Sequence, residues 1–165
     1  MRFHHMCIVT TDIDRQIRMW EDLMGFETKV KMTIPDGEDW APTVMAPRAL
    51  LEDLYKVPGA TATVAVMLSK EGAMIELLEP HIPDTQQTPR EKLLYAHSGI
   101  HELGFVLEGI DDFFAKVRAQ GYVTQTEYVW PCATMGKTFL FYDPDGNMIQ
   151  IWEHGPDAPA ELRVG

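Results

Sequence analysis

Two rhythms of apolar positions alternate along the chain. Residues 4–14, HHMCIVTTDID, hold a short apolar run with β-branched residues and then a polar break. Ile13, Ile17, Trp20 and Met24 follow at 3–4 spacing, which predicts a strand and then a helix over Asp14–Met24. Residues 101–111, HELGFVLEGID, repeat the scheme, with Ile110, Phe113, Phe114 and Val117 predicting a helix over Asp111–Gln120. Laid together, His4 meets His101, Val9 meets Val106, Ile13 meets Ile110 and Asp14 meets Asp111. Each helix stops at a glycine, Gly25 or Gly121, as a left-handed cap does, and an aromatic residue follows, Phe26 or Tyr122.

The later strands match as well. Ala73–Glu79 (AMIELLE) resembles Asn147–Glu153 (NMIQIWE). The first follows a Lys70-Glu71-Gly72 turn, and the second follows Asp143-Pro144-Asp145-Gly146-Asn147, a strong hairpin signal. Thr61–Leu68 and Lys137–Tyr142 read as the strands before these turns. The chain is therefore an α+β protein of two tandem β-α-β-β-β modules, residues 1–80 and 99–154. Residues 81–98 read as a linker with a helical stretch at 90–97, and residues 155–165 as a loose tail. His5 to Glu76 is 71 positions, whereas Glu102 to Gln150 is 48. Most of the excess is an insertion at 34–59 with Pro35, Pro42, Pro47 and Pro58 and a short helix over Arg48–Lys56. A long insertion in a compact repeat suits a lid or a substrate-binding loop.

Composition narrows the functions. In 165 residues, 45% hydrophobic and 24% charged, there is material for one sizeable core or two small fused ones. No apolar run approaches the roughly 18 residues of a membrane span, and the N-terminus is too polar for a secretory signal. A net charge of −11 argues against nucleic acid and anionic membrane surfaces as partners, while leaving room for a small substrate. Cys7 and Cys132 form neither a disulfide framework nor a metal spacing, which points to a reducing cytoplasm.

Four segments, FHHMCIVTTDID at the start, IELLEP at 75–80, GIHELGFVLEGID at 99–111 and FYDPDGNMIQIWE at 141–153, resemble the vicinal oxygen chelate superfamily. That superfamily includes glyoxalase I, methylmalonyl-CoA epimerase, extradiol dioxygenases, fosfomycin-resistance enzymes and metal-free bleomycin-binding proteins. IELLEP followed by GIHELGF is most similar to the epimerase-like members. The resemblance implies an open, cupped mixed sheet around one divalent metal, with ligands from the first and last strand of each module. Carried onto this chain, those positions are His5, Glu76, Glu102 and Gln150. The second module departs from the common pattern: Glu102 stands where a histidine is usual, and Gln150 where a glutamate is usual. His101 is no substitute, because a one-residue slip turns a side chain to the other face of the sheet. One imidazole, two carboxylates and an amide oxygen suit Zn, Ni, Co, Mn or Fe.

The resemblance further implies a substrate chelated through adjacent oxygens, with Glu76 or Glu102 moving an α-proton. The reaction would be an epimerisation, an isomerisation or a glyoxalase-like lyase step on a small carbonyl or acyl compound. Extradiol cleavage is less favoured, because only one histidine, His5, falls on a ligand position. Each residue also has a plainer reading. His5 could be a strand histidine satisfied by backbone, and Gln150 could bond inside the sheet. Glu76, flanked by Ile75 and Leu77, is costly on an inner face unless paired or metal-bound. Tyr128, Trp130, Met135 and Lys137 are candidates for a substrate pocket in the second module, or else ordinary packing. Glu79 and Glu153 fall on the other face and read as solvated. The alternative function is a metal-free protein that sequesters an apolar compound, for which Trp40, Trp130 and Trp152 would serve. Many members of the superfamily dimerise, so a homodimer is the expected assembly.

Overall fold

A computed structural model describes residues 2–163 and divides the chain after Gln87 into two compact units. Residue 1 of the first predicted module and residues 164–165 of the tail lie outside the described residues.

In the first unit the order is β1 (Met6–Val9), α1 (Ile13–Asp22), β2 (Glu27–Ile34), α2 (Arg48–Tyr55), β3 (Thr61–Leu68) and β4 (Met74–Ile82). The strands form one mixed sheet in the order β1-β4-β3-β2, with β1 parallel to β4 and the other pairs antiparallel. The Asp12 carboxylate caps α1 by accepting from the Arg15 N–H at 2.9 Å. Ile13, Gln16, Met19 and Trp20 make its buried face, where the Trp20 indole donates to Gln16 Oε1 at 3.1 Å. The helix ends where Gly25 takes φ +74°, and the Phe26 N–H returns to the Trp20 carbonyl at 2.9 Å.

In the second unit the order is β5 (Glu102–Val106), α3 (Ile110–Ala119), β6 (Trp130–Pro131), β7 (Gly136–Tyr142) and β8 (Met148–His154). Their sheet runs β5-β8-β7-β6, with β5 parallel to β8. The topology is that of the first unit, so the α+β reading and the two tandem modules hold in the structure. The β7–β8 turn is built by the buried Asp143, which accepts from the Asp145 and Asn147 amides at 3.0 and 2.7 Å. Gly121 ends α3 at φ +84° as Gly25 ends α1.

Each helix packs on one face of its own sheet. In the first unit that face carries Ile8, Ala65, Met67, Ile75 and Leu77, all buried. In the second it carries Phe139, Phe141, Ile149 and Ile151, with Phe113 and Phe114 of α3 against Phe139.

Two expectations change. The 90–97 stretch is a single 3-10 turn over Arg90–Leu93 with no side-chain cap and no buried residue, so nothing stabilises a longer helix. The described part of the tail is tied down rather than loose. The Gly155 N–H donates to Met135 O at 2.8 Å, and the Arg163 guanidinium donates to the carbonyls of Gly155, Pro156 and Ala158. The insertion is closed by its own bonds: Asp36 accepts from the Met45 and Ala46 amides at 2.9 and 2.8 Å, and Arg48 forks onto Glu38. Those backbone donors hold the Asp36 carboxyl below its usual range. Among the described residues no helix is long and apolar enough to cross a membrane.

The junction of β7 with the tail leaves no room for a side chain. Gly136 has φ +151°, and a Cβ there would lie 2.2 Å from the Glu153 carbonyl oxygen. Gly136→Ala is expected to destabilise the fold by about 2–4 kcal/mol, read as a lower urea midpoint with an unchanged slope.

Candidate functional site

Because β1 lies parallel to β4, with His5 immediately before β1 and Cys7 opposite Glu76, Cys7 shares the side of the sheet that carries Glu76 and Leu78. This is the face away from α1. The second unit repeats the geometry, since Gly104 lies opposite Gln150 and Glu102 opposite Met148 on the face away from α3. Position for position, His5 corresponds to Glu102, Cys7 to Gly104 and Glu76 to Gln150. Each unit therefore carries one expected donor on its last strand, Glu76 or Gln150, and a second at its first strand, Glu102 within β5 and His5 just before β1. Among the described residues, no group of three or more His, Cys, Asp or Glu side chains is gathered for a metal ion.

The neighbours of these donors were not visible in the sequence. Glu76 holds the Cys7 thiol by a hydrogen bond. Burial first, and then the charge and hydrogen bond of Glu76, push the thiol up to about 12, although Cys7 keeps exposed surface. The insertion supplies Tyr55, at the end of α2, packed against the cluster of Ile34, Leu51, Ala62, Val64 and Leu78 on this same face. Its hydroxyl is buried without a hydrogen-bond partner, and burial, with the nearby Cys7 and Glu76, raises its pKa. So the 34–59 segment covers part of the donor face of the first sheet and brings a phenol close to Glu76.

In the second unit the Tyr95 hydroxyl donates to the Glu102 carboxylate. Desolvation, followed by that bond and the Glu102 charge, pushes Tyr95 up to about 12. His5 is exposed, with its Nδ1 2.6 Å from that of His4. His101 contacts the Leu93 carbonyl through Nδ1 at 3.1 Å, and its buried Nε2 has no hydrogen-bond partner.

The pocket candidates scatter. Tyr128 is exposed. Trp130 packs on Leu140, Tyr142 and Met148. Lys137 sits opposite Glu153 on the helix face and bonds Asp111. Met135 lines a cavity of about 270 Å³ together with Gly104, Val106, Trp152, His154 and Leu162. Of the other aromatics considered, Trp40 is exposed. Glu79 and Glu153 are half-buried rather than solvated. Glu79 accepts from the Ile13 amide at 3.4 Å and Glu153 from the Gly109 and Ile110 amides, so each caps the helix of its own unit.

The donor types fit a divalent ion of intermediate hardness: imidazole, two carboxylates and an amide oxygen. Gly104 also leaves the Gln150 amide uncovered, since a Cβ there would lie 3.7 Å from Oε1.

Comparison with known proteins agrees with this architecture. A glyoxalase family protein from Bacillus cereus superposes with a TM-score of 0.74 at 16% identity, covering 93% of each chain. Glyoxalase I from Leishmania major gives 0.61 at 15%, covering 93% of this chain and 86% of that one. A fosfomycin resistance protein from Mesorhizobium loti gives 0.56 at 12%, covering 92% and 90%. No curated protein matches the sequence. Residues 2–151 match the Glyoxalase/Bleomycin resistance protein/Dioxygenase superfamily, and the chain belongs to that superfamily.

Proposed function

We propose that the chain is a metal-dependent enzyme that moves a proton on a small carbonyl or acyl substrate, as an epimerase, an isomerase or a glyoxalase-like lyase. The observation that supports this reading is the repeated placement of Glu76 across from Cys7 and of Gln150 across from Gly104 in two equivalent sheets, with His5 two residues before Cys7 and Glu102 two before Gly104. The donors of each pair suit a divalent ion of the Zn, Ni, Co, Mn or Fe group. When bound, such an ion supplies Lewis-acid polarisation of a substrate oxygen.

The chain's own groups have narrower tasks. Glu76 and Glu102 are the candidate bases, and each carries a neutral protein donor that keeps its proton near neutral pH: the Cys7 thiol on Glu76 and the Tyr95 hydroxyl on Glu102. Such donors fix the orientation of the carboxylate before a proton arrives. The Tyr55 hydroxyl, buried beside this pair, is a donor free to meet a substrate oxygen. The epimerase-like motifs make acyl compounds with an acidic α-proton the first substrates to try. A homodimer in the cytoplasm belongs to the same proposal.

The second reading, metal-free sequestration of an apolar compound, has its own support. Both carboxylates already carry protein donors, and an apolar-lined cavity opens in the second unit. Elemental mass spectrometry of protein purified without chelators separates the two. About one transition-metal ion per chain, lost in His5→Ala and in Glu76→Ala, is the expected result. A parent that holds no metal and takes up none when Zn, Ni, Co, Mn or Fe is added overturns the metal reading in favour of sequestration.

The Cys7–Glu76 bond gives a pH-dependent prediction for chelator-treated protein. A thiol moved from 9.0 to about 12 has roughly a thousandfold less thiolate at pH 8. Alkylation of Cys7 by iodoacetamide should be slow in the folded protein despite its exposure, and at least about tenfold faster in Glu76→Gln. The sign for stability follows. The protonated thiol favours the fold fully below pH 9.0, and that contribution is lost as pH rises towards about 12. Equal alkylation rates in parent and variant would show that Glu76 does not govern the thiol.

A further inference from the structure

We propose that residues 155–163 are a specificity element: with Met135 they close an apolar pocket on the donor face of the second sheet, and that pocket takes an uncharged alkyl or aryl group of the substrate. The pocket measures about 270 Å³, and Gly104, Val106, Met135, Trp152, Ala158 and Leu162 line it. That volume lies between a benzene-sized site and the range for drug-sized ligands, which leaves room for about six to eight carbons. Strand alternation places it. Gly104 pairs with Gln150 and Val106 with Trp152, and both pairs share the face that carries Glu102. Successive rows on one face are about 7 Å apart. The pocket therefore begins at the row of Gln150 and runs away from Glu102. A Cβ on Gly104 would lie 3.7 Å from Gln150 Oε1, so the amide stands beside this end of the wall.

The repeat shows what the same face looks like when the chain fills it. In the first unit Val9 pairs with Leu78 at the position of Val106 and Trp152. Leu78 belongs to a buried cluster with Ala46 and Leu51 of the insertion. The shorter second unit uses its tail instead. The Gly155 N–H donates to Met135 O at 2.8 Å, and the Asp157 N–H to Thr134 O at 3.3 Å. A Cβ on Gly155 would lie 2.2 Å from the Thr134 oxygen, so the two segments meet at a distance only glycine permits. This cover leaves the pocket open: Val106 stays 37% exposed and Leu162 60%. Two large apolar side chains at an apolar pocket gain contact when an apolar group fills it.

The wall is as uncharged as it is apolar. No Asp, Glu, Lys or Arg lines the pocket. His154, the one titratable residue there, spends Nδ1 on the Trp152 indole N–H at 3.0 Å, and its Nε2 is buried from solvent. The ring thus offers a ligand no free polar atom. A charged group entering the pocket would lose its water with nothing to replace it. The pocket stands by itself, whereas the identity of its occupant as part of a substrate rests on the proposed role of Glu102 and Gln150. With that role, the substrate is a carbonyl compound whose other end is an uncharged alkyl or aryl group.

The test uses the full chain, treated with chelator and titrated in protein-observed NMR with ethylbenzene, acetophenone, benzoate and benzylammonium. Ethylbenzene and acetophenone should both bind and shift the Trp152 indole N–H signal. Of these two, only acetophenone should move the Gln150 side-chain amide signals. The two ions should bind at least about tenfold more weakly. Leu162→Asp, at an exposed position, should keep the parent's melting temperature and weaken both neutral probes at least about tenfold. Gly104→Leu, whose Cβ would make only ordinary van der Waals contact with Gln150, should fill the pocket and abolish their binding. A parent that does not bind ethylbenzene, an ion that binds as tightly, or binding undiminished in either variant overturns the proposal. Acetophenone that binds without moving the Gln150 signals overturns the assignment of the pocket to the substrate. Because metal is absent throughout, failure here leaves the metal reading intact, and a failed metal assay leaves the pocket standing.

Discussion

The parallel pairing of the first and last strands within each unit is the constraint on which the rest of the structure depends. It puts β1 at a sheet edge beside β4, and β5 beside β8, with Cys7 against Glu76 and Gly104 against Gln150. Side chains alternate, so this one register decides two things at once. On the helix face it aligns Ile8 with Leu77 and Phe105 with Ile151. On the other face it lines up the donor positions. A slip of one residue would bury Glu76 under α1 and expose Ile75 and Leu77.

The same register carries the two glutamates that follow the donor positions. Glu79 and Glu153 project to the helix face, where the first amides of α1 and α3 lack intrahelical acceptors. The carboxylate completes those amides and meets the positive end of the helix. In α3 this matters more, because its N-cap residue is Gly109, which has no side chain to offer. α1 has Asp12 as well. Each sheet is thereby fastened to its helix by an apolar interface and by one charged contact.

Much of this was legible in the sequence. The repeat of HHMCIVTTDID with HELGFVLEGID, and of AMIELLE with NMIQIWE, marked the first and last strand of each unit, the helix after each first strand and the faces of Glu76, Glu102 and Gln150. Periodicity of two or of 3.6 residues is a local property, and both faces of each element followed from it. What escaped depends on contacts between distant segments that share no period. The closure of the insertion by Asp36 needs Met45 and Ala46 brought back to it. The partners Cys7 and Tyr95 became visible only once the strands were paired and the 88–98 segment was folded. Alternation placed Glu79 and Glu153 on the far face, yet could not show the helix N-termini waiting there. The cavity, part of whose wall is tail, was invisible for the same reason.

The equivalence of Cys7 and Gly104 has a consequence for how the two copies diverge. Each sits in mid-strand directly across from a donor position, so one residue sets how crowded that donor is. In the first unit the position is filled by a thiol that holds Glu76 in place. In the second it is left empty, and the vacated volume merges with the cavity. A single codon at either position trades a rigid donor for room beside it without disturbing the ladder, so selection can retune the binding chemistry of one copy while the duplicated scaffold stays as it is.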